Sequence, residues 1–321
     1  MAKLNSKITR EDVKSNLDEL FSNVENFRET GSFQQMLDFV ARFKGVSPYN
    51  AFLLYQQRPG VKYVLNASQW AKRHERKIKP NARPLIVLVP FGPVDYVYDV
   101  SDTYAESNPY TPSLFEETDD DFLASVIEPY KTDGYEPKSE MAKLVDSMKY
   151  HGITVDTNFK VGNSFAGQIE ILDKDYHPKM QSLYKDTQIT ITANYLLSIR
   201  DKAKCGEAFA TAVHELGHFF CHHLIAIPAK AWEVRYLDHI TKEFEAEAVS
   251  YIVCERLGIK SPAANYLNGY YERNNTIPDI SVETVFTACN MILNMIDGIK
   301  LKQGILYKYD ERFKSYIDAF K

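Results

Sequence analysis

The chain has 321 residues, 45% hydrophobic and 25% charged, with a formal net charge of −5 at pH 7. This composition excludes a disordered or fibrous chain and leaves room for two domains of ordinary size, while so mild an acidity names no partner. No apolar run is long enough to span a membrane, Met1-Ala2-Lys3-Leu4-Asn5 leads into a charged segment unlike a signal peptide, and Cys205, Cys221, Cys254 and Cys289 form no Cys-x-x-Cys pair, so free thiols in a reducing cytoplasm are expected.

In chain order, Val13, Leu17, Leu20, Phe21 and Val24 recur at helical spacing and predict a helix over Ser6 to Thr30. Met36, Leu37, Phe39, Val40 and Phe43 predict a second helix, and Pro48 suits the first turn of a third through Phe52 to Tyr55. A short helix holding Trp70 follows, and then two strands, Leu85 to Val89 and Asp95 to Val100, with a turn at Phe91-Gly92-Pro93. Asn108-Pro109, Thr111-Pro112 and the run from Glu116 to Asp121 give 106–136 the character of an acidic linker around a short helix, Phe122 to Tyr130. A second domain, 137–321, is expected to begin with a helix from Met141 to Tyr150. Three strand-like stretches come next, Gly152 to Val155, Gly167 to Leu172 and Gln188 to Thr192. Helices are predicted over Gly206 to Leu224, Lys242 to Gly258, Pro262 to Tyr271 and Val282 to Ile299. The fold class expected is α+β.

The chemistry concentrates in Thr211-Ala212-Val213-His214-Glu215-Leu216-Gly217-His218-Phe219-Phe220. Residues four apart share a helix face, so His214 and His218 can reach one metal ion together. Glu215, next in sequence to His214, is placed to take a proton from water as a general base. Two imidazoles plus a carboxylate favour Zn²⁺ with a position left open. The bland alternative is a polar patch on a surface helix. Against it stand Phe209, Ala212, Val213, Leu216, Phe219 and Phe220, which make the helix apolar, and buried imidazoles and carboxylates are costly unless paired or bound to metal.

A third ligand is expected from Lys242-Glu243-Phe244-Glu245-Ala246-Glu247-Ala248. At 100° per residue Glu243 and Glu247 share a face, and Glu245 points nearly opposite, which predicts a solvated side chain there. Glu243 is the expected ligand, with Glu247 holding the outer nitrogen of a histidine ring; on helical geometry alone the two roles are exchangeable. His222 is expected to back a ligand or touch substrate, His223 to lie on the surface, and Tyr236 or His239 to donate to an oxyanion.

These motifs, His-Glu-Leu-Gly-His followed by Glu-Phe-Glu-Ala-Glu, resemble the gluzincin-type metallopeptidases, and within them the ImmA/IrrE-like family. The resemblance puts Glu243 in the ligand position of a Glu-x-x-Ala-x helix, with Glu247 where many relatives carry Asn or Asp. It implies a zincin-like domain whose edge strand holds a peptide by strand addition.

The segment 1–105 is locally basic and interleaves cations with aromatics. Tyr49, Tyr55 and Trp70 lie among Lys72, Arg73, Arg76, Lys77 and Lys79. Cations track phosphates and aromatic faces stack on bases, so this mixture suits single-stranded DNA; the plainer expectation is a solvated basic face over a core of Tyr and Trp. Ser47-Pro48-Tyr49-Asn50-Ala51-Phe52-Leu53-Leu54, Gln57-x-Pro59, Trp70, Ile86-Val87-Leu88-Val89-Pro90 and Tyr98-Asp99-Val100-Ser101-Asp102-Thr103 together resemble the N-terminal domain of ArdC-type antirestriction proteins. That resemblance implies a small α+β domain binding single-stranded DNA ahead of a zinc peptidase. The leading expectation is therefore a cytoplasmic zinc metallopeptidase that cleaves a protein or peptide. Its competitor is an antirestriction or mobile-element DNA-binding protein whose zinc site is structural or rarely catalytic. A third candidate is a regulator that cleaves one repressor.

Overall fold

The computed structural model describes residues 29–89, 92–105, 119–126, 135–160, 166–173, 175–184, 187–227 and 231–299. Apart from Glu29 and Thr30, the helix expected over Ser6 to Thr30 lies outside them, as does Phe91 of the expected turn. The chain is mixed α+β and divides into two compact units, one of residues 34–132 and one of 1–33 with 133–321. No helix among the described residues is long and apolar enough to cross a membrane.

Helix α1 (Thr30–Arg42) leads to α2 (Pro48–Gln57), which Ser47 caps by accepting from the Asn50 amide. Strand β1 (Val64–Leu65), α3 (Ala67–His74), β2 (Arg76–Ile78), β3 (Leu85–Val89), β4 (Gly92–Asp99) and β5 (Thr103–Ala105) follow, with α4 (Asp119–Val126) at the end of the unit. The strands pair in the order β1-β4-β3, and β2 pairs with β5. Asn50 and Gln57, seven residues apart and so on one face of α2, use their side-chain amides as a strand would. Asn50 donates to the Leu88 carbonyl at 3.0 Å and accepts from its N–H at 2.9 Å; Gln57 does the same to Ile86, both at 2.8 Å. A free edge of β3 is thereby satisfied without another strand.

Three expectations for this unit are corrected. Trp70 is fully buried and donates its indole N–H to the Tyr98 carbonyl at 2.9 Å, so no base can stack on it. Arg76, expected on a DNA-binding face, is 4% exposed, bonded to Asp119 at 2.9 Å, and lies over the rings of Trp70 and Phe122. The acidic segment is more than a linker: Phe122 and Leu123 of α4 pack with Trp70 and Val100 in one core cluster. The cause is common to all three. The apolar face of α4 covers Trp70, and its first carboxylate neutralises the arginine drawn in beside it.

In the second unit, α5 (Lys138–Met148) precedes β6 (Ile153–Phe159), β7 (Gly167–Ile171), the hairpin β8 (Lys179–Tyr184) and β9 (Thr187–Thr192), and β10 (Tyr195–Arg200). The sheet order is β6-β10-β7, with β10 parallel to β6 and antiparallel to β7. Sequence periodicity did not single out β10, the central strand. Its Tyr195, Leu197, Ser198 and Ile199 are all buried, so it shows no clean alternation. Helices α6 (Cys205–Phe220), α7 (His239–Leu257), α8 (Ala263–Tyr271) and α9 (Val282–Ile296) complete the unit. Asp238 caps α7 by accepting from the Thr241 amide at 2.9 Å, and Gly258 ends it at φ 70°.

Candidate metal centre

Two glycines let three elements meet. A Cβ on Gly167 would lie 2.5 Å from Thr211 Cγ2 and 2.6 Å from the Ser198 carbonyl oxygen, so only glycine lets β7 approach α6 here. A Cβ on Gly217 would lie 3.0 Å from the Ala246 Cα, which fixes the crossing of α6 and α7 at small residues. The faces brought together carry His214, His218 and Glu215 from α6, Glu243 and Glu247 from α7, and the Ile169 amide from β7.

His214 Nε2 and His218 Nε2 are 3.2 Å apart. Glu243 presents Oε1 to His218 Nε2 at 3.3 Å and Oε2 to His214 Nε2 at 3.6 Å. Three ligand atoms bonded at about 2.0–2.1 Å to one tetrahedral ion sit roughly 3.3 Å from one another. The two nitrogens have that spacing and each carboxylate oxygen of Glu243 lies at a similar distance from one of them, so the residues present fit a metal ion. Glu247 Oε1 lies 3.6 Å from His214 Nδ1, on the outer side of that ring.

Glu215 is 8% exposed and accepts from the Ile169 amide at 2.9 Å, which fixes its carboxylate beside the triangle. Burial pushes its pKa up, against the opposing pull of His214 and of that amide. Burial likewise draws His218 down, partly offset by its bond to Glu243. The bond to His218 holds Glu243 below the usual carboxylate range, against burial. Burial also works to lower His214, but the carboxylates of Glu247, Glu215 and Glu243 together outweigh this and leave it raised.

The structure departs from expectation just behind these ligands. Helix α6 ends at Phe220 instead of running to Leu224, and His222 takes a left-handed conformation, φ 62°. The turn folds His223 back beneath the helix, where its amide donates to the His218 carbonyl at 3.0 Å. His223, expected on the surface, is thus buried, and its Nδ1 is 2.9 Å from His218 Nδ1. The place expected for His222 behind a ligand belongs to His223. His222 instead stacks on Trp232, with centroids 5.5 Å apart, and burial lowers its pKa to about 4.

Glu245 is a second correction. It does face away from Glu243, but into the protein, fully buried, because Arg235 and the amide of Ser281 cover that side of α7. Its partners outweigh burial and hold its carboxyl below the usual range. Both oxyanion donors expected are exposed, Tyr236 by 90% and the His239 side chain by 85%; His239 Nδ1 lies 3.6 Å from Glu243 Oε1 at the mouth of the site. Tyr266 of α8, which sequence spacing did not mark, is close enough to Glu243 and Glu247 for their charges to add to the upward effect of burial on its hydroxyl.

Away from this site, Tyr49 and Tyr55 are half-buried and pack on Phe52 and Phe39. Lys72, Arg73, Lys77 and Lys79 remain exposed, with the Lys79 ammonium on the Ser101 carbonyl at 2.8 Å.

Among the described residues, two groups of side chains could hold a metal ion, His214/His218/Glu243 and Cys221/His223/Glu245, the second entirely buried. The sequence matches no protein-family model, and comparison with curated proteins and with solved structures yields no match.

Proposed function

We propose that this protein is a zinc-dependent metallopeptidase of the gluzincin type, hydrolysing peptide bonds in a protein target. The observation that carries the reading is the triangle of His214 Nε2, His218 Nε2 and the Glu243 carboxylate, 3.2 to 3.6 Å on a side, with Glu215 fixed next to it. Two neutral imidazoles and one carboxylate are the donor set of a catalytic zinc that keeps a position open. Zinc held there supplies Lewis acidity, polarising a carbonyl and making water a better acid.

The chain's own residues do the rest. Glu215 takes the proton of the attacking water and returns it to the leaving amine as the C–N bond breaks. The Ile169 amide holds the Glu215 carboxylate in one orientation throughout. Strand β7 is an edge of the β6-β10-β7 sheet, and the Ile169 N–H points off that edge toward Glu215, so an extended peptide adding to β7 would run past the base. His239, beside Glu243, is the donor suited to the oxyanion.

Metal analysis of the purified full chain, with a proteolysis screen, tests this. Zinc is expected at one equivalent. Glu215→Gln should retain zinc and lose hydrolysis by about 10²- to 10⁴-fold, because an amide takes no proton. If Glu215→Gln loses its metal as His214→Ala does, or still hydrolyses at the wild-type rate, the assignment is wrong.

A further inference from the structure

We propose that His223, Glu245 and Arg235 form a hydrogen-bond chain that fixes the tautomer and ring rotation of His218, making all three positioning residues for the metal site. The proposal rests on the metal-binding reading above. As a ligand, His218 must present a lone pair at Nε2, so the one proton of its neutral ring sits on Nδ1. That nitrogen is 2.9 Å from His223 Nδ1, which must accept. His223 then carries its own proton on Nε2, 2.8 Å from Glu245 Oε2, a carboxylate that can only accept. Every link has one donor and one acceptor, and the direction of the whole chain follows from metal coordination at its far end.

Glu245 is built to terminate such a chain. Its Oε2 accepts from His223 and from Arg235 Nη1 at 2.6 Å, and its Oε1 from Arg235 Nη2 and the Ser281 amide, both at 2.7 Å. Four donors fill its four lone-pair positions. The same count weighs against a second metal at Cys221, His223 and Glu245. An ion there would have to displace one of those donors and take the His223 Nε2 lone pair, which the chain replaces with a proton.

The arrangement also explains why a histidine is interposed. Glu245 lies on the opposite side of α7 from Glu243 and cannot reach a ligand on α6 directly. The turn after Phe220 supplies the missing length by tucking His223 beneath His218. Behind His214 stands Glu247, whose Oε1 is 3.6 Å from its Nδ1, a longer approach than the 2.9 Å link behind His218. The two histidine ligands are thus held unequally, His218 rigidly through a buried chain and His214 by a looser neighbour.

Long-range ¹H–¹⁵N spectra of the zinc-loaded full chain labelled in its histidines read the tautomers without any substitution. The expected result is a proton on Nδ1 of His218 and on Nε2 of His223. A His223 ring protonated on Nδ1, or on both nitrogens, overturns the chain while leaving the zinc site standing. Chelator competition on variants gives the second readout. His223→Leu removes acceptor and donor together and should weaken zinc binding about 10- to 100-fold, as loss of a group behind a ligating histidine does. His223→Gln, whose amide can accept from His218 and donate to Glu245, should recover most of that loss. A folded Leu variant with wild-type zinc affinity, or a Gln variant as weak as the Leu variant, overturns the proposal. If the Leu variant does not fold, the tautomer measurement decides. Failure of the wild-type chain to bind zinc overturns the metallopeptidase reading itself, and this proposal with it.

Discussion

The crossing of α6 and α7 at Gly217 makes a quantitative prediction for Gly217→Ala. In an unconstrained helix interior this change stabilises by about 0.5–1 kcal/mol, because glycine loses more backbone freedom on folding. Here the added Cβ would meet the Ala246 Cα at 3.0 Å, its carbonyl oxygen at 3.2 Å and its Cβ at 3.4 Å. The two nearest atoms are backbone, so no rotamer change relieves them, and the helices must part by about 0.5 Å to restore ordinary carbon contact near 3.5 Å. Overpacking of this kind costs about 1–3 kcal/mol, so the net destabilisation is only about 0–2.5 kcal/mol and the shift in Tm is modest. The metal site is the more sensitive reporter. Glu243 rides on α7 three residues before Ala246, while His214 and His218 flank Gly217 on α6. Parting the helices therefore lengthens the 3.3 and 3.6 Å spacings from the histidines to Glu243, where bond lengths tolerate only about 0.2 Å. Zinc affinity, measured by chelator competition, should fall at least about tenfold, or about 1.4 kcal/mol. Gly206→Ala is the control, since a Cβ there meets nothing within 4 Å. A Gly217→Ala variant that melts higher than wild type and holds zinc as tightly would refute the close crossing.

Three further outcomes are expected. Glu245→Ala takes the carboxylate from Arg235, whose side chain is partly exposed, and from the Ser281 amide and His223, and should cost about 1.5–3 kcal/mol in urea unfolding; a loss below about 0.5 kcal/mol would restore the solvated face expected from helical spacing. His151 is buried against Phe219 and Phe220, and burial lowers its pKa from 6.5 to about 4. Below pH 6.5 the unfolded chain therefore binds a proton that the native one refuses, and about 3 kcal/mol of stability is lost as pH falls from 6.5 to about 4; His151→Gln should flatten that stretch of the stability profile, and an unchanged slope would contradict it. With Trp70 buried and Lys72, Arg73, Lys77 and Lys79 exposed in the same segment, any single-stranded DNA binding by the full chain should be phosphate-driven and steeply salt-dependent, and in a Trp232→Phe background the remaining tryptophan fluorescence should not be quenched on titration; quenching would restore base stacking.

What was legible in the sequence was the part set by local periodicity. His214, Glu215 and His218 follow from spacing within one helix, and the pairing of Glu243 with Glu247 on one face follows from the same geometry on another. What surrounds a helix is not local. Residues 243 to 248 of α7 alternate charged and apolar side chains, and nothing in that pattern tells whether the face opposite Glu243 meets water or protein. Arg235 comes from the loop before the helix and Ser281 from the start of α9, so the burial of Glu245 is a tertiary fact. The end of α6 was illegible for another reason. No glycine or proline marks it, and a non-glycine residue, His222, supplies the left-handed turn. Without that break His223 cannot be placed beneath His218, and the support behind the metal site stays invisible.

The basic segment around Trp70 shows the complementary limit of composition. Cations beside aromatics are what a single-strand-binding surface needs, but they are equally what closes a small core. Arg76 lies with its guanidinium carbon 4.9 Å from the Phe122 ring centroid and 6.0 Å from that of Trp70, and its charge is met by Asp119 at 2.9 Å. A guanidinium is weakly hydrated and planar, so it can lie against rings in a core where a lysine would be costly, provided an anion is within reach. The acidic stretch supplies that anion and, one turn on, the Phe122 ring that shuts Trp70 from water. Opposite charges that look like two separate surfaces in the sequence are thus halves of one contact, with the arginine buried and the carboxylate at its rim. Lys72, Arg73 and Lys77, whose side chains stay exposed, are the cations on the outside for a polyanion to meet.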